Sequence, residues 1–392
     1  MLGAAQQGAL RAGGRTLGTV LNHAQAQRRW LSASSALRAG QLVTFGGSSG
    51  GELQEILDTL YMRIVLPSYL PIDQQKKMYN AKHKQSLQND PITMEIDGVV
   101  HKFRYVDRMT LPRTHELLQQ AVKLMKTRGD LDNVPKILEG LVHANRDVEP
   151  YTFNKLIRKA LEADRLDVII NSVRAVKRTG FKLNRSEIIN ELLVAIQSRA
   201  IRSGFDKRRT EHALKQTQDI ISLLESNEDL HKDKRGTKKH HFYQDPLVLA
   251  ARLHMAAALA VHHQGGKDVS GKVTKLAEEL MHFWKEGQGV LDLYPEAAYT
   301  ERHRLRYLMD RNNFLYYISP VLNGLTLAAQ VVDGGLAMQL QNRADAVDAE
   351  VRDALQSPKR KQGGRGEKMY NWIFNPEAEQ AEVEAEAEEA SA

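Results

Sequence analysis

The sequence predicts an all-α protein, a solenoid of stacked helical hairpins with one small β-hairpin near the N-terminus. Three observations predict it. From residue 113 onward, apolar residues recur at helical spacing in one segment after another. The chain also repeats itself. Arg128-Gly129-Asp130-Leu131-Asp132 and Ala163-Asp164-Arg165-Leu166-Asp167 place Leu131 and Leu166, and Asp132 and Asp167, 35 residues apart, and Val122/Ile157, Leu138/Val173 and Leu141/Val176 follow near that offset. A period in the mid-thirties with two amphipathic helices per unit is an α-solenoid pattern, because each hairpin leaves an apolar face that only a stacked neighbour covers. The strand signal is confined to residues 92–105.

The elements follow in order. Residues 1–38 contain Arg11, Arg15, Arg28, Arg29 and Arg38, no Asp or Glu, and scattered Leu and Val with no continuous apolar run. That is the composition of a mitochondrial transit peptide, with cleavage expected near residues 30–38 and the matrix as destination. Residues 39–112 read as linker, helices and hairpin. Phe45-Gly-Gly-Ser-Ser-Gly-Gly51 reads as flexible linker. It spells G-x-S-x-G, but a nucleophile elbow needs a strand–turn–helix context that a Gly/Ser run does not supply. Residues 52–64 read as a helix, Pro67 and Pro71 as breaks, and 72–87 as one basic helix. Ile92 to Tyr105 alternates apolar and polar residues around Asp97-Gly98, a hairpin signal.

Residues 113–225 hold the repeats, 226–244 a basic loop and 245–356 a C-terminal helical domain. Residues 357–392 read as a basic linker, a short apolar anchor and a disordered acidic tail. Phe314 to Val332 carries no charge over 19 residues, but Pro320 should divide it into two buried helices, so no membrane span is expected.

Composition narrows the function. Cysteine is absent, which excludes disulfides, thiolate metal sites and thiol nucleophiles. His254, His262, His263 and His282 have no ligand-spaced acids and no H-E-x-x-H, so neither metal nor cofactor is expected, and no catalytic constellation emerges. Net charge is +7, with five arginines and no acid in residues 1–51 and seven glutamates and no base in 376–392. The body between them is therefore basic, which favours a nucleic-acid partner.

The unit 150–184 resembles the pentatricopeptide repeat. Pro150-Tyr-Thr-Phe-Asn-Lys-Leu-Ile157 matches that family's opening, Ala163-Asp-Arg-Leu-Asp167 its central turn, and Val176-Lys-Arg-Thr-Gly-Phe-Lys-Leu-Asn184 its end. The match is good over this unit, fair over 115–149 and weak over 185–225. The resemblance implies that Asn154 and Asn184 face a groove and read an RNA base, with Gln119 and Glu149 at the equivalent positions one unit earlier. The alternative is that both asparagines are ordinary polar or capping residues. Lys155, Arg158, Lys177 and Arg178 stud the repeat. Lys232, Lys234, Arg235, Lys238 and Lys239, followed by Phe242 and Tyr243, place cations beside aromatics, suited to phosphates and base stacking or simply to a solvated loop. The family resemblance implies a non-catalytic role in mitochondrial gene expression, with mitochondrial RNA or the mitochondrial ribosome as partner. The alternative is a protein-binding scaffold, such as a respiratory-complex assembly factor, whose partners dock on the solenoid or the acidic tail.

Overall fold

In the computed structural model, residues 42–96, 98–227, 241–301 and 304–377 are described; the expected transit peptide, the cations of the basic loop and nearly all of the acidic tail lie outside them. The described residues are mostly helical, as the periodicity predicts, and their strands form a single two-stranded sheet.

The chain enters through the Gly/Ser run, which is not a free linker. The Ser49 N–H and Oγ donate to the Asp130 carboxylate at 2.8 and 2.7 Å, and Gly46 N–H donates to Asn133 Oδ1. The run lacks side chains to obstruct this approach, so its composition permits docking as readily as flexibility. Helix α1 (Gly51–Leu60) buries Leu53, Leu57 and Leu60 on one stripe. A π-turn and a 3-10 turn through Pro67 follow. The expected single helix over 72–87 is two: α2 (Ile72–Met78) and α3 (Lys84–Asn89). Asn80 breaks it, because its side chain accepts Lys82 N–H and caps the intervening turn. β1 (Ile92–Ile96) and β2 (Val99–Phe103) pair antiparallel with Ile96 opposite Val99, and Gly98 takes φ +78° in the tight turn. Met94 and Phe103 join Leu66, Leu70 and Met78 in a small second core. This N-terminal module rests on the repeats where Val65 meets Gly140, with no room for a Cβ, and where Tyr69 stacks on His143 at 3.8 Å.

The first repeat is α4 (Thr114–Leu124), α5 (Arg128–Leu131) and α6 (Val134–His143); the second is α7 (Pro150–Glu162), α8 (Leu166–Arg174) and α9 (Val176–Thr179). Val122, Ile157, Leu138, Val173, Leu141 and Val176 are all buried, so the sequence period is the period of the core. Gly180 closes α9 in the left-handed conformation that favours glycine. The third unit is α10 (Ser186–Ile201) and α11 (Lys207–Ser226). The first helices of the units stack in order, with α4 on α7 and α7 on α10.

Beyond the repeats come α12 (Pro246–His263), α13 (Lys272–Phe283), α14 (Glu296–Thr300), α15 (Arg311–Val331), α16 (Gly334–Gln356) and α17 (Arg365–Phe374). Pro320 does not divide α15, which runs 21 residues through it. Proline removes one backbone donor, opposite Tyr316 O, but neighbouring helices bury α15 on several sides, and that packing outweighs the local cost. Among the described residues, no helix is long and apolar enough to cross a membrane. The expected basic linker at 357–367 is partly α17. This helix packs on α15 so closely that Gly366 meets the Asn312 carbonyl with no space for a side chain.

Candidate functional site

Helix α7 positions Asn154, Lys155 and Arg158, and these face inward or sideways. Asn154, the fifth residue of α7, is 1% exposed, and its side-chain oxygen has no hydrogen-bond partner among the described residues. Burial favours the alternative of an ordinary polar residue over a base reader at this position. Gln119, one unit earlier, donates to Thr152 Oγ1 and accepts from Lys155 Nζ at 2.8 and 2.7 Å. Lys155 is occupied by that contact and lies 4.7 Å from the Tyr151 ring. Glu149 faces His115, and Arg178 pairs with Glu139 at 3.2 Å. Asn184 is half-buried and Lys177 exposed. Phe242 and Tyr243 form a 3-10 turn packed against the main core rather than standing out in a loop. Lys232, Lys234, Arg235, Lys238 and Lys239 lie outside the described residues. Those predicted residues that are described are therefore not gathered into one site.

It gathers others. Arg158 Nε and Nη2 each donate to one oxygen of Glu191, both at 3.0 Å. From the far end of the chain, Arg365 Nη1 donates to both Glu191 oxygens at 3.0 Å, and the Tyr317 hydroxyl donates to Oε2 at 2.5 Å. The Arg365 guanidinium also lies 4.2 Å from the Tyr316 ring and donates to Asn313 Oδ1. Glu191 is fully buried. Burial alone pushes its carboxyl up, but the Arg158 hydrogen bonds and the two guanidinium charges outweigh burial and hold it below its usual value. Burial first, and then the Glu191 charge, push the Tyr317 hydroxyl far up, so it remains a donor. Four helices, α7, α10, α15 and α17, meet at this one carboxylate.

A second buried tie crosses α10, α12 and α15. His254 Nδ1 lies 2.7 Å from Gln197 Oε1, and Nε2 lies 3.0 Å from Asn323 Nδ2. With Asn323 donating to Nε2, the ring is the neutral Nδ1–H tautomer. Burial lowers the His254 pKa to about 3, with a smaller contribution from His262. Gly324 sits against the His254 backbone, where a Cβ would collide. The histidines that invite a metal reading thus have packing and hydrogen-bonding roles: His262 stacks on Phe205 and His263 Nε2 lies 2.7 Å from Phe205 O. Near the C-terminal end, Glu350 accepts Val290 and Leu291 N–H, while Arg343 donates twice to Trp284 O. These groups serve as structural cross-links between protein atoms at hydrogen-bonding distance.

One signal for the Glu191 node was available in the sequence. A lone acid sits at position 191 within the apolar run Ile188, Ile189, Leu192, Leu193 and Ile196. Such an acid needs a cationic partner, but nothing local names Arg365 as that partner.

The family model described as mitochondrial ribosomal protein mS27 matches residues 29–372. The chain belongs to the mitochondrial ribosomal protein mS27 family. A protein of Neurospora crassa described as small ribosomal subunit protein mS27 is 37% identical over 394 residues, covering 95% of this chain and 99% of that protein. The family match spans the repeats, the C-terminal helices and α17 together, so it covers both ends of the Glu191 node.

Proposed function

We propose that this chain is a non-catalytic component of the small subunit of the mitochondrial ribosome, acting in mitochondrial gene expression within the matrix. The observation that carries this reading is the end-to-end similarity to the Neurospora crassa small-subunit protein, which spans nearly the full length of both chains. The acid-free, arginine-bearing leader supports import, and most of it precedes the family match. The polar side chains of the interior form cross-links, which suits a protein that holds a shape for neighbours to dock on.

In the same reading, residues 114–226 are pentatricopeptide-like hairpins stacked as a short solenoid. The 35-residue spacing of buried residues and the α4–α7–α10 stacking support it. RNA contact is through cations, the exposed Lys177 of the hairpins and those of residues 232–239 beyond them, rather than through Asn154. The test is sedimentation of a tagged chain from lysed mitochondria. It should travel with the small subunit through a gradient, begin near residues 30–38 on N-terminal sequencing, and stay with the particle through a high-salt wash. A chain found only at the top of the gradient would overturn the assignment.

A further inference from the structure

Several cations of the repeat stack, among them Arg158, Arg165, Arg174 and Arg178, pair with neighbouring acids; a group of cations beside the β-hairpin does not. Helix α2 ends at Met78, and the Val106 N–H donates to Met78 O at 3.1 Å, which lays the chain leaving β2 against the end of α2. That contact brings the Arg108 guanidinium 5.2 Å from the centre of the Tyr79 ring, and Lys84 Nζ 5.8 Å from the centre of the Tyr105 ring. A further cation arrives from the first repeat. Asn145 turns the chain after α6 with φ +52°, the Arg146 N–H closes on Leu141 O at 2.8 Å, and the Arg146 side chain is exposed. Burial pushes the Tyr79 hydroxyl up, while the positive fields of Arg146 and Arg108 oppose it, so both cations bear on the same ring.

Arg104, one residue before Tyr105, is also exposed, as are Lys84 and Arg108. Among the described residues, none of these four cations forms an ion pair. Of the acids nearby in sequence, Asp107 caps a turn by accepting Met109 N–H, and Asp73 faces Lys76 at 3.9 Å. Asp90 and Glu95 are exposed. Residues 72–108 and 146–147 together carry eight lysines and arginines against six acids, so this part of the surface keeps a modest excess of positive charge, with two half-exposed aromatic rings set among it. Such a combination fits a phosphate backbone whose unpaired bases can stack, and fits an acidic peptide less well, since a peptide gains little from the rings.

We propose that Lys84, Arg104, Arg108 and Arg146, with Tyr79 and Tyr105 between them, form a docking face for single-stranded RNA. The inference rests on the ribosomal reading and adds to it a surface distinct from the repeats and from the 232–239 cluster. Each phosphate contact releases counterions, so single-strand affinity falls with salt by a slope of about 0.7 per contact.

The test uses the full chain and a mixed-sequence single-stranded RNA at several salt concentrations. The variant Lys84→Ser/Arg104→Ser/Arg108→Ser/Arg146→Ser should bind at least about tenfold more weakly at low salt, with a slope shallower by about 2–3. A control with the same charge loss elsewhere, Lys207→Ser/Lys275→Ser/Lys285→Ser/Lys359→Ser, should change far less, and swapping Lys for Arg and Arg for Lys at the four positions should retain the slope. All eight side chains are exposed, so helix content should be unchanged. Equal behaviour of the patch variant and the control would overturn the proposal. A second measurement is ultraviolet crosslinking of purified small subunits. Crosslinks from residues 79–108 to RNA are expected; crosslinks to protein alone would overturn RNA as the occupant. Failure of the wild-type chain to sediment with the small subunit would remove the ribosomal reading, a result separate from the RNA-binding comparison.

Discussion

The repeat stack and the C-terminal helical block are held together by different means. In the stack, residues 114–226, the units meet mainly through apolar stripes, and apart from the buried Arg158–Glu191 pair between α7 and α10 the ion pairs lie at the edge. Arg165 pairs with Asp132 at 2.6 Å and with Asp167 at 3.0 Å, bridging the two aspartates that mark the repeat. In the block, residues 246–374, helices of different lengths are joined through buried polar residues that reach across the chain: Arg365 to Glu191, His254 to Gln197 and Asn323, and Arg343 to Trp284. Repetition suffices where each helix meets its equivalent. Where unlike helices meet, specific hydrogen bonds fix which side chain faces which, because an unpaired buried polar group is costly in any other arrangement. Helix α10 belongs to both regions. Its outer positions are consumed by α12, α15 and α17, which is why 14 of its 16 residues are buried.

The sharpest way to break the stack is to place a charge in its apolar seam. Ile157 is fully buried, and Ile157→Asp should cost more than about 4 kcal/mol and collapse protection across 150–184. Hydrogen exchange with denaturant titration reads this out; an unchanged midpoint would mean that the 35-residue register is not the register of the core.

The block should break at Glu191. Glu191→Ala leaves two guanidiniums facing one another in the interior, and removing one partner of a buried ion pair costs about 3–5 kcal/mol. Because Arg365 loses its anchor, α17 should become accessible to protease before the repeats do. Simultaneous loss of both regions at one midpoint would show that the two fold as a single cooperative unit.

A smaller effect distinguishes the regions by pH. His254 is neutral in the folded protein, with a pKa of about 3, against an ordinary value of 6.5. Between those values the unfolded chain takes up a proton that the folded chain refuses, so stability falls as pH drops from 6.5 toward 3. At pH 5 the expected loss is about 2 kcal/mol. His254→Gln should start less stable at pH 7 and lose less between pH 7 and 5. An identical pH dependence in the two proteins would show that the ring accepts a proton in place.

The smallest expected change is at the edge of the stack. Arg165→Ala removes both bridges, yet its aspartate partners are more than half exposed, so the cost should stay below about 1 kcal/mol and shrink in high salt. A larger, salt-independent loss in thermal denaturation would place the repeat's polar edge on the same footing as the buried ties of the block.

The stack was legible because its signals are local. The apolar pairs 35 residues apart are all buried, and the expected hairpin forms, with Ile96 opposite Val99. Less legible were the surroundings of single residues. Asn154 stands at a base-reading position of the repeat resemblance and is buried. Pro320 looked like a break and lies inside a continuous helix. The run at 45–51 looked like a tether and is fixed to Asp130 and Asn133.

By itself the sequence determined the helical class, the repeat period and the hairpin, because helix periodicity, turn chemistry and apolar spacing act over a few residues at a time. Tertiary structure alone decided which cations remain available and which buried acids and histidines are satisfied. Charge and hydrogen-bonding capacity belong to the residue, but its partner is chosen by the packing of elements distant in the chain: Glu191 and Arg365 are 174 residues apart and share two hydrogen bonds.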